Sequence, residues 1–363
     1  RIEAEKKLLQ DPDRREANRI LRNFKALIGL LEKGDKDIPY YEELIQALTA
    51  TYDYMAGVQN APDRGKAALK AARDRFQLDG ADPLYALQRI AAGLPEPLSA
   101  QMQKVAKESW KVLLVKALQE LEKKWDEEIY QFYDERLASR YPFNPKARVE
   151  ASLEDFELLF GPQGKLSEFY DKYLKVFLDE NLNALYSEED EDYLVDTGVL
   201  KQLEAAWAIQ DGFFDTRGSL NINFNLEPLA LSANKRRSII NIDGQLIPYN
   251  HGPAHASQLI WPNTLRKSAE SKLTLIGSGG GSQVMRYQGS WSWFRLLEKA
   301  RINGADNNTL DVTFRLGKGR MRYRIHSEKS NSPILRQLFK GFSLPRTLLK
   351  RRQALSSKRV ANR

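Results

Sequence analysis

Two of the chain's three histidines lie close enough in sequence to raise the question of a metal site. They occur in the segment His251-Gly252-Pro253-Ala254-His255. On a helix, a spacing of four residues would bring both imidazoles onto one face, where they could bind the same ion. Gly252 and Pro253 argue against a helix, and in an extended chain the two histidines are roughly 13 Å apart. The sequence therefore predicts loop histidines without a bound metal.

Two other segments resemble ligand-binding loops in composition but not in spacing. The acidic run 188–192 has contiguous carboxylates and lacks the glycine of a calcium-binding EF-hand loop, so it predicts a solvated loop. The glycine-rich run 277–281 continues with Ser282-Gln283 instead of the Gly-Lys-Ser/Thr of a phosphate-binding loop. Because a strand is expected after it, we predict a hairpin loop there.

The residues available for catalysis are few. The chain has no cysteine, which excludes disulfides, thiolate metal sites and cysteine nucleophiles. No serine nucleophile motif and no pair of carboxylates at a recognisable spacing stands out. The sequence accordingly predicts a protein that is not an enzyme, with no catalytic residues, no metal and no cofactor.

Residues 320–325 carry the most distinctive chemical pattern, an alternation of arginine with an apolar residue. Because successive side chains of a strand point to opposite faces, the three arginines should share one exposed face, with Arg315 on the neighbouring strand. Arginine, tyrosine and tryptophan dominate many protein interfaces, so we predict a partner-binding surface in this region. Its candidate residues are Arg320, Arg322, Arg324, Trp261, Tyr249 and Tyr287.

Charge is unevenly distributed along the chain. The formal net charge is +8, but residues 201–363 alone carry +17, residues 151–200 carry −10, and residues 1–150 are close to neutral. A basic region of this size attracts nucleic acid, an anionic membrane surface or an acidic protein, and charge alone does not choose among them. The strand 320–325 lacks the stacking aromatics of an RNA-recognition strand, so protein docking is favoured and no nucleic-acid partner is expected. The competing interpretation is a solvated strand face, with Trp261 in the core.

The elements that position these residues change in type along the chain. Apolar residues recur at intervals of three or four at first, and at intervals of two from residue 219 onward. This change predicts an α+β multidomain protein with an N-terminal all-α region followed by a C-terminal antiparallel β-sandwich-like domain. The predicted parts are a helical region 1–140, a second helical subdomain 141–218, a β-rich domain 219–345 and a basic tail 346–363.

Prolines mark where the helices begin and end. Asp11-Pro12 and Asp82-Pro83 each place a capping carboxylate before a proline in the first helical turn, and a later amphipathic run extends to about residue 138. Tyr141-Pro142-Phe143 then breaks the helix, and its aromatic pair is expected to hold a structural turn against the helical core. Ser152 is predicted to cap the helix that follows.

Turn residues divide the last third of the sequence into strands. Asp243-Gly244 and Gly317-Lys318-Gly319 separate alternating apolar segments and predict tight hairpins. One helix near residues 291–301 is expected to interrupt about seven short strands.

The sequence offers no bilayer-spanning helix, since no apolar stretch reaches roughly eighteen residues. The chain opens on charged residues, without the pattern of a secretory signal. Any anchor or targeting segment is therefore expected upstream of Arg1.

An ordered set of short motifs runs between residues 90 and 330. The motifs are Trp125, Arg140-Tyr141-Pro142-Phe143, Asp155-Phe156, Phe160-Gly161-Pro162-Gln163-Gly164, Phe169, Gly244-Gln245, Tyr249, His251-Gly252-Pro253, Trp261-Pro262 and Gly289-Ser290-Trp291. In this order and spacing they resemble the TssM (IcmF) family of type VI secretion proteins. One position departs from the family, which commonly has glycine where Asn263 stands; asparagine also tolerates a left-handed backbone, so the turn should be kept.

The resemblance implies a subunit of a trans-envelope secretion complex, and this chain would be its periplasmic region. The implied partners are an outer-membrane lipoprotein of the TssJ type, an inner-membrane subunit of the TssL type, and further copies of the chain in a ring. The family's transmembrane helices and NTPase-like domain would lie upstream of Arg1.

Three functions from different classes are therefore compared. The preferred one is a non-enzymatic scaffold that spans the periplasm and docks the lipoprotein. The alternatives are a cell-wall-acting hydrolase, which would need two carboxylates facing a cleft, and a nucleic-acid-binding module that uses the basic third of the chain.

Overall fold

The computed structural model describes residues 40–77, 82–178, 195–263, 265, 269–335 and 337–349. The chain divides into two compact units. The first comprises Arg1–Lys123, Val176–Tyr193 and Arg351–Arg363, and the second comprises Lys124–Lys175 and Leu194–Lys350. The described strands and all the predicted site residues lie in the second unit.

The described residues of the first unit are mostly helical. The helices are α1 (Tyr40–Gln59), α2 (Arg64–Phe76), α3 (Pro83–Ala92) and all but the last residue of α4 (Leu98–Lys124). The predicted helix start at Asp82-Pro83 is confirmed, since Asp82 Oδ1 accepts a hydrogen bond from the Leu84 amide (2.9 Å). The other start, Asp11-Pro12, lies outside the described residues.

The long amphipathic run continues past Lys124, where the second unit begins, as π-helical and α-helical turns. These are Trp125–Tyr130 (π), α5 (Gln131–Tyr133) and Asp134–Ala138 (π). Among the described residues, three further helices precede the strands: α6 (Leu153–Phe160), α7 (Lys165–Phe169) and α8 (Thr197–Phe213). A π-helical turn Tyr170–Leu174 and a 3-10 turn Lys175–Phe177 follow α7. Ser152 caps α6 as predicted, its Oγ accepting from the Asp155 amide at 3.0 Å.

In the part of the second unit that the structure describes, nine strands and one short helix follow α8. The helix α9 spans Ser292–Leu297. The strands are β1 (Ile222–Leu231), β2 (Lys235–Ile242), β3 (Gln245–Tyr249), β4 (Ser257–Trp261), β5 (Glu270–Gly277), β6 (Ser282–Gln288), β7 (Arg301–Ala305), β8 (Thr309–Leu316) and β9 (Gly319–Ser327).

The strands form two antiparallel sheets, which confirms the predicted α+β class with a β-sandwich-like C-terminal part. The five-stranded sheet has the order β4-β1-β9-β8-β7, and the four-stranded sheet has the order β3-β2-β5-β6. Both predicted hairpins are present, β2–β3 through Asp243-Gly244 and β8–β9 through Gly317-Lys318. The glycine-rich run 277–281 is the β5–β6 hairpin loop, closed by the Gly277 amide donating to the Gly281 carbonyl at 2.7 Å.

The core of the sandwich lies between the inner faces of the two sheets. Ile240 and Leu273 from the four-stranded sheet are fully buried, as are Met321 and Tyr323 from the five-stranded sheet. Ser238 Oγ contacts both Met321 Sδ (3.4 Å) and Tyr323 Oη (3.5 Å), which joins the two sheets directly. This packing fixes which face of each strand points to solvent.

A continuous cluster of aromatic rings joins the helices of the second unit to the sandwich. Phe143 stacks on Phe160 with the ring centroids 5.7 Å apart, and Phe156 meets Trp291 edge to face at 5.3 Å. Tyr141 and Phe143 are both buried, so the Tyr141-Pro142-Phe143 turn lies within the packed interior as predicted. The cluster as a whole contains Phe143, Phe156, Phe160, Phe213, Phe214, Trp261, Trp291, Phe294, Phe339 and Phe342.

A charged clamp reinforces the same junction. Glu150 Oε1 accepts from Arg295 Nε at 2.8 Å, and its Oε2 accepts from the Trp291 amide at 3.1 Å. The Arg295 guanidinium lies 3.8 Å from the centre of the Tyr141 ring, and the Tyr141 hydroxyl donates to Glu298 at 2.8 Å. These contacts tie α9 to the segment that precedes α6, so the helices after Lys124 and the sandwich share one compact unit.

Several sequence predictions change in detail. The change from helix to strand predicted near residue 219 falls between Phe213 and Ile222, within the second unit. Asn263 is not among the described residues with a positive φ; its side chain instead donates to the Asp243 carbonyl at 2.9 Å. The predicted basic tail begins with packed residues, since Arg346 pairs with Asp126 and Leu348 is fully buried.

Within the described residues, none of the helices combines the length and the apolar character needed to cross a bilayer. The same part of the chain has no group of three or more histidine, cysteine or acidic side chains arranged to hold a metal ion. His251 and His255 lie in the loop between β3 and β4, where His251 Nε2 contacts the Lys235 carbonyl at 2.5 Å. The acidic run 188–192 lies outside the described residues.

Candidate functional site

The arginines of β9 lie on the solvent face of the five-stranded sheet. Met321, Tyr323 and Ile325 alternate with them and are fully buried, which fixes the arginines outward. Arg320 and Arg322 are exposed. The buried residues therefore hold the strand backbone in place, while the side chains of Arg320 and Arg322 remain accessible to solvent.

Arg324 belongs to a neutralised part of the face. Its Nε and Nη2 donate to the two carboxylate oxygens of Asp311 at 2.7 and 3.0 Å. These hydrogen bonds lower the pKa of the Asp311 carboxyl from its ordinary value. Glu227 lies opposite Arg324 on β1, and its carboxylate is 3.3 Å from His326 Nε2. Because Asp311 already matches its charge, Arg324 is less available to an outside partner than Arg320 and Arg322 are.

Four other arginines form the cationic part of the face, which we call the arginine cluster: Arg301, Arg315, Arg320 and Arg322. Arg315 on β8 lies directly opposite Arg320 on β9. Thr313, also on β8, lies opposite Arg322 on β9 and opposite Arg301 on β7, so these two arginines flank it. All four are exposed, and none forms an ion pair with a described residue. Arg301 was missed from sequence because β7 has no alternating apolar pattern.

Like charges directly opposite each other destabilise a sheet. The Arg315–Arg320 pair is such an arrangement, and within the described residues no carboxylate offsets it. A sheet that needed only to fold would be more stable with one of the two replaced. The arginine cluster is therefore suited to binding carboxylates supplied from outside the domain.

The three aromatic candidates do not lie on this face. Trp261 is fully buried, and its Nε1 donates to the Ser290 carbonyl at 3.1 Å, so the core interpretation applies to it. Tyr249 and Tyr287 are half-buried and lie on the inner sides of β3 and β6, as their partners Ser238 and Ser271 show. The prediction of an aromatic contribution to the surface is corrected, because strand parity turns these rings towards the interior.

A solvent-open cleft of about 560 Å³ lies beside the Gly161-Pro162-Gln163-Gly164 turn. Glu154 and Glu157 line it, and burial together with the nearby Glu154 raises the pKa of the Glu157 carboxyl. Both side chains are exposed and come from one turn of α6. A glycosidase needs its two carboxylates on either side of the scissile bond, and neighbouring residues of one helical turn do not supply that arrangement.

Comparisons with known proteins find a family that matches most of the sandwich. Residues 224–329 match the family described as the type VI secretion protein IcmF C2-like domain. Over 347 residues the chain is 24% identical to the type VI secretion system component TssM1 of Pseudomonas aeruginosa, covering 93% of this chain and 31% of that relative. The chain thus spans about a third of the length of the curated relative it matches.

Solved structures share the fold. A chain of a type VI secretion system membrane core complex superposes with a TM-score of 0.74 at 20% identity, covering 90% of this chain and 70% of that one. The TssM C-terminal domain from EAEC superposes with a TM-score of 0.57 at 22% identity, covering 64% of this chain and 99% of that domain. The helical elements and the sandwich therefore recur together in solved proteins.

Proposed function

We propose that this chain, a member of the TssM (IcmF) family, is a scaffold region of a type VI secretion membrane complex and acts by binding other proteins. Its working location would be the periplasm, joined to an inner-membrane anchor in the longer protein. It would dock an outer-membrane lipoprotein of the TssJ type on the arginine cluster. An inner-membrane subunit of the TssL type and further copies of the chain, arranged in a ring, would be its other partners.

The single observation that carries the docking proposal is the arginine cluster itself. Four guanidinium groups without described ion-pair partners lie on a sheet that buried residues hold in place. Arginine forms bidentate hydrogen bonds to carboxylates, and its planar guanidinium loses less conformational entropy for each hydrogen bond formed than a lysine ammonium does. An acidic surface on the lipoprotein would supply the missing charges.

Calorimetric titration of the whole chain with the soluble domain of the candidate lipoprotein tests this proposal. We expect the double reversal Arg320→Glu and Arg322→Glu to weaken binding by about tenfold or more, because opposed charges become like charges. The matched control is Arg236→Glu with Arg237→Glu, two exposed arginines on β2 of the other sheet. The control variant should bind like the unaltered chain.

The same titration separates the competing functions. Unchanged affinity of the Arg320/Arg322 variant, with its melting temperature intact, would remove this face from the interface. Binding of a random DNA duplex that falls steeply with salt, and more tightly than binding of the lipoprotein, would favour the nucleic-acid alternative.

A further inference from the structure

The outward face of the four-stranded sheet has an apolar row across its full width. Pro248, Ile239, Thr274 and Val284 are successive cross-strand partners from β3 through β2 and β5 to β6. The alternate residues of these strands, such as Ile240 and Leu273, fill the core, so the row points away from it. This face is the opposite side of the sandwich from the arginine cluster.

Two exposed aliphatic side chains lie on this face, and a third, Leu265, lies in the connection between β4 and β5. Leu246, the second residue of β3, is 64% exposed. Val284, on the edge strand β6, is 51% exposed. Leu265 is 86% exposed. Leu265 is two residues after Asn263. The Asn263 side chain donates a hydrogen bond to the Asp243 carbonyl in the β2–β3 turn. The Cα atom of Leu265 therefore lies within roughly 7 Å of the Cα atom of Asn263.

The charges around these apolar residues are mainly positive. Arg237 and Lys272 point outward from β2 and β5, and neither forms an ion pair with a described residue. Glu270 is the acidic residue on this face among those described, and it is occupied by Arg286, with 2.5 Å between Nη2 and Oε2. Anything that covers this face should therefore be anionic and should accept shallow apolar side chains.

We propose that the outer face of the four-stranded sheet docks onto the surface of an anionic phospholipid bilayer. Basic residues near a membrane attract anionic headgroups, and exposed aliphatic side chains gain by burial at the boundary with the acyl chains. Lys272 and Arg237 would contact phosphate groups, while Leu265, Leu246 and Val284 would enter the interfacial region.

The composition of the face favours a lipid surface over a protein. Tight protein interfaces concentrate their affinity in buried aromatic and arginine anchors that fill pockets. Tyr249 and Tyr287, the tyrosines on β3 and β6, point inward, and the protruding side chains are single aliphatic residues spaced over a flat sheet. Separate shallow insertions joined to diffuse positive charge match a fluid anionic surface.

This inference adds to the proposed function and does not depend on it. The arginine cluster and the lipid-facing surface lie on opposite sides of one sandwich, so a protein and a bilayer could be bound at the same time. Variants on one side should leave binding on the other side unchanged. Failure of either proposal can therefore be recognised separately.

Vesicle flotation with the whole chain tests the proposal. We expect binding to vesicles that mix phosphatidylglycerol with phosphatidylcholine, and little binding to phosphatidylcholine alone. Replacing Leu246 and Leu265 with serine should weaken binding on the order of tenfold for each leucine that enters the interface. Arg237→Gln with Lys272→Gln should weaken it by about fivefold for each charge.

Matched controls come from the other sheet of the sandwich. Ile302→Ser removes a side chain of similar exposure (56%) from β7, and Arg320→Gln with Arg322→Gln removes the same amount of charge from the arginine cluster. Both should bind vesicles like the unaltered chain. A chain ending at Lys350 removes the remaining basic C-terminal residues, and its binding should stay sensitive to the leucine substitutions.

Three results would overturn the proposal. The first is the absence of phosphatidylglycerol-dependent flotation at low salt. The second is an equal loss of binding in the Arg320/Arg322 control, which would indicate attraction by net charge without a defined face. The third is full binding by a leucine variant whose melting temperature is unchanged, which would exclude this surface and leave it as a candidate for protein docking.

Discussion

Asp243 combines a strained backbone with an unusual carboxyl environment. It has a positive φ of 47°, as the first residue of a tight Asp-Gly hairpin turn requires, and it is 3% exposed. Within the described residues its Oδ1 has no hydrogen-bond partner. Burial raises the pKa of this carboxyl to about 6, against the smaller lowering effect of the Asn263 amide.

This carboxyl makes stability depend on pH. A folded-state pKa above the unfolded value of about 3.9 means that the folded chain binds the extra proton. The resulting stabilisation is complete below about pH 4 and is lost as the pH rises through 6.

Asp243→Asn should remove this dependence, and asparagine also tolerates the positive φ. Between pH 5 and 7.5 the unaltered chain should lose about 1 kcal/mol of unfolding free energy that the variant keeps. Urea unfolding at both pH values measures this difference. Parallel pH profiles for the two proteins would mean that the Asp243 carboxyl titrates normally.

The Tyr141-Pro142-Phe143 turn is the element on which the packing of the second unit depends. Phe143 contacts five other rings, those of Tyr133, Phe156, Phe160, Phe339 and Phe342. Phe143→Ala should destabilise the chain by about 3 kcal/mol, since a buried ring is lost and a cavity remains.

Val149→Ala is the control for this turn, because Val149 lies in the same segment and is 65% exposed. It should change stability by less than about 0.5 kcal/mol. Thermal melting followed by circular dichroism compares the two variants. If Phe143→Ala melted like the unaltered chain and lost only partner binding, the turn would be a contact surface and not a packing element.

The elements differ in how far sequence can predict them. The period-two alternation of β8 and β9, the Asp-Gly turn and the Ser152 cap are local signals, and each of these elements is present. β7 has no such signal, because it is an edge strand, exposed over residues 301–304, and needs no apolar face. The position of Trp261 was harder to predict. Alternation assigns the side chains of a strand to two faces but does not show which face packs against the other sheet.

For the molecule as a whole, the change from helices to strands falls within one compact unit, Lys124–Lys175 with Leu194–Lys350. The β-rich segment predicted as a domain, 219–345, leaves out the rings and carboxylate that cover Trp291 in the intact unit, namely Phe156, Phe213 and Glu150. Those contacts are long-range in sequence, so a change of periodicity could not reveal them.

A fragment of residues 219–345 should therefore be less stable than a fragment of residues 124–350. We expect the shorter fragment to bind a hydrophobic dye and to melt at a lower temperature, because an apolar surface that helices normally cover becomes exposed. Dye fluorescence and thermal melting of both fragments provide the comparison. A shorter fragment that melted cooperatively at the same temperature, without dye binding, would establish the sandwich as an independent domain.

The alternation along β9 has a consequence for how this protein can change in evolution. A deletion of one residue within the strand would carry the arginines into the core and place Tyr323 in water, so both the binding face and the sandwich would be lost together. Substitutions at Arg320 or Arg322 affect one face only. Within β9, the charge of the exposed face can thus change by residue identity, whereas insertions and deletions are confined to turns such as Gly317-Lys318.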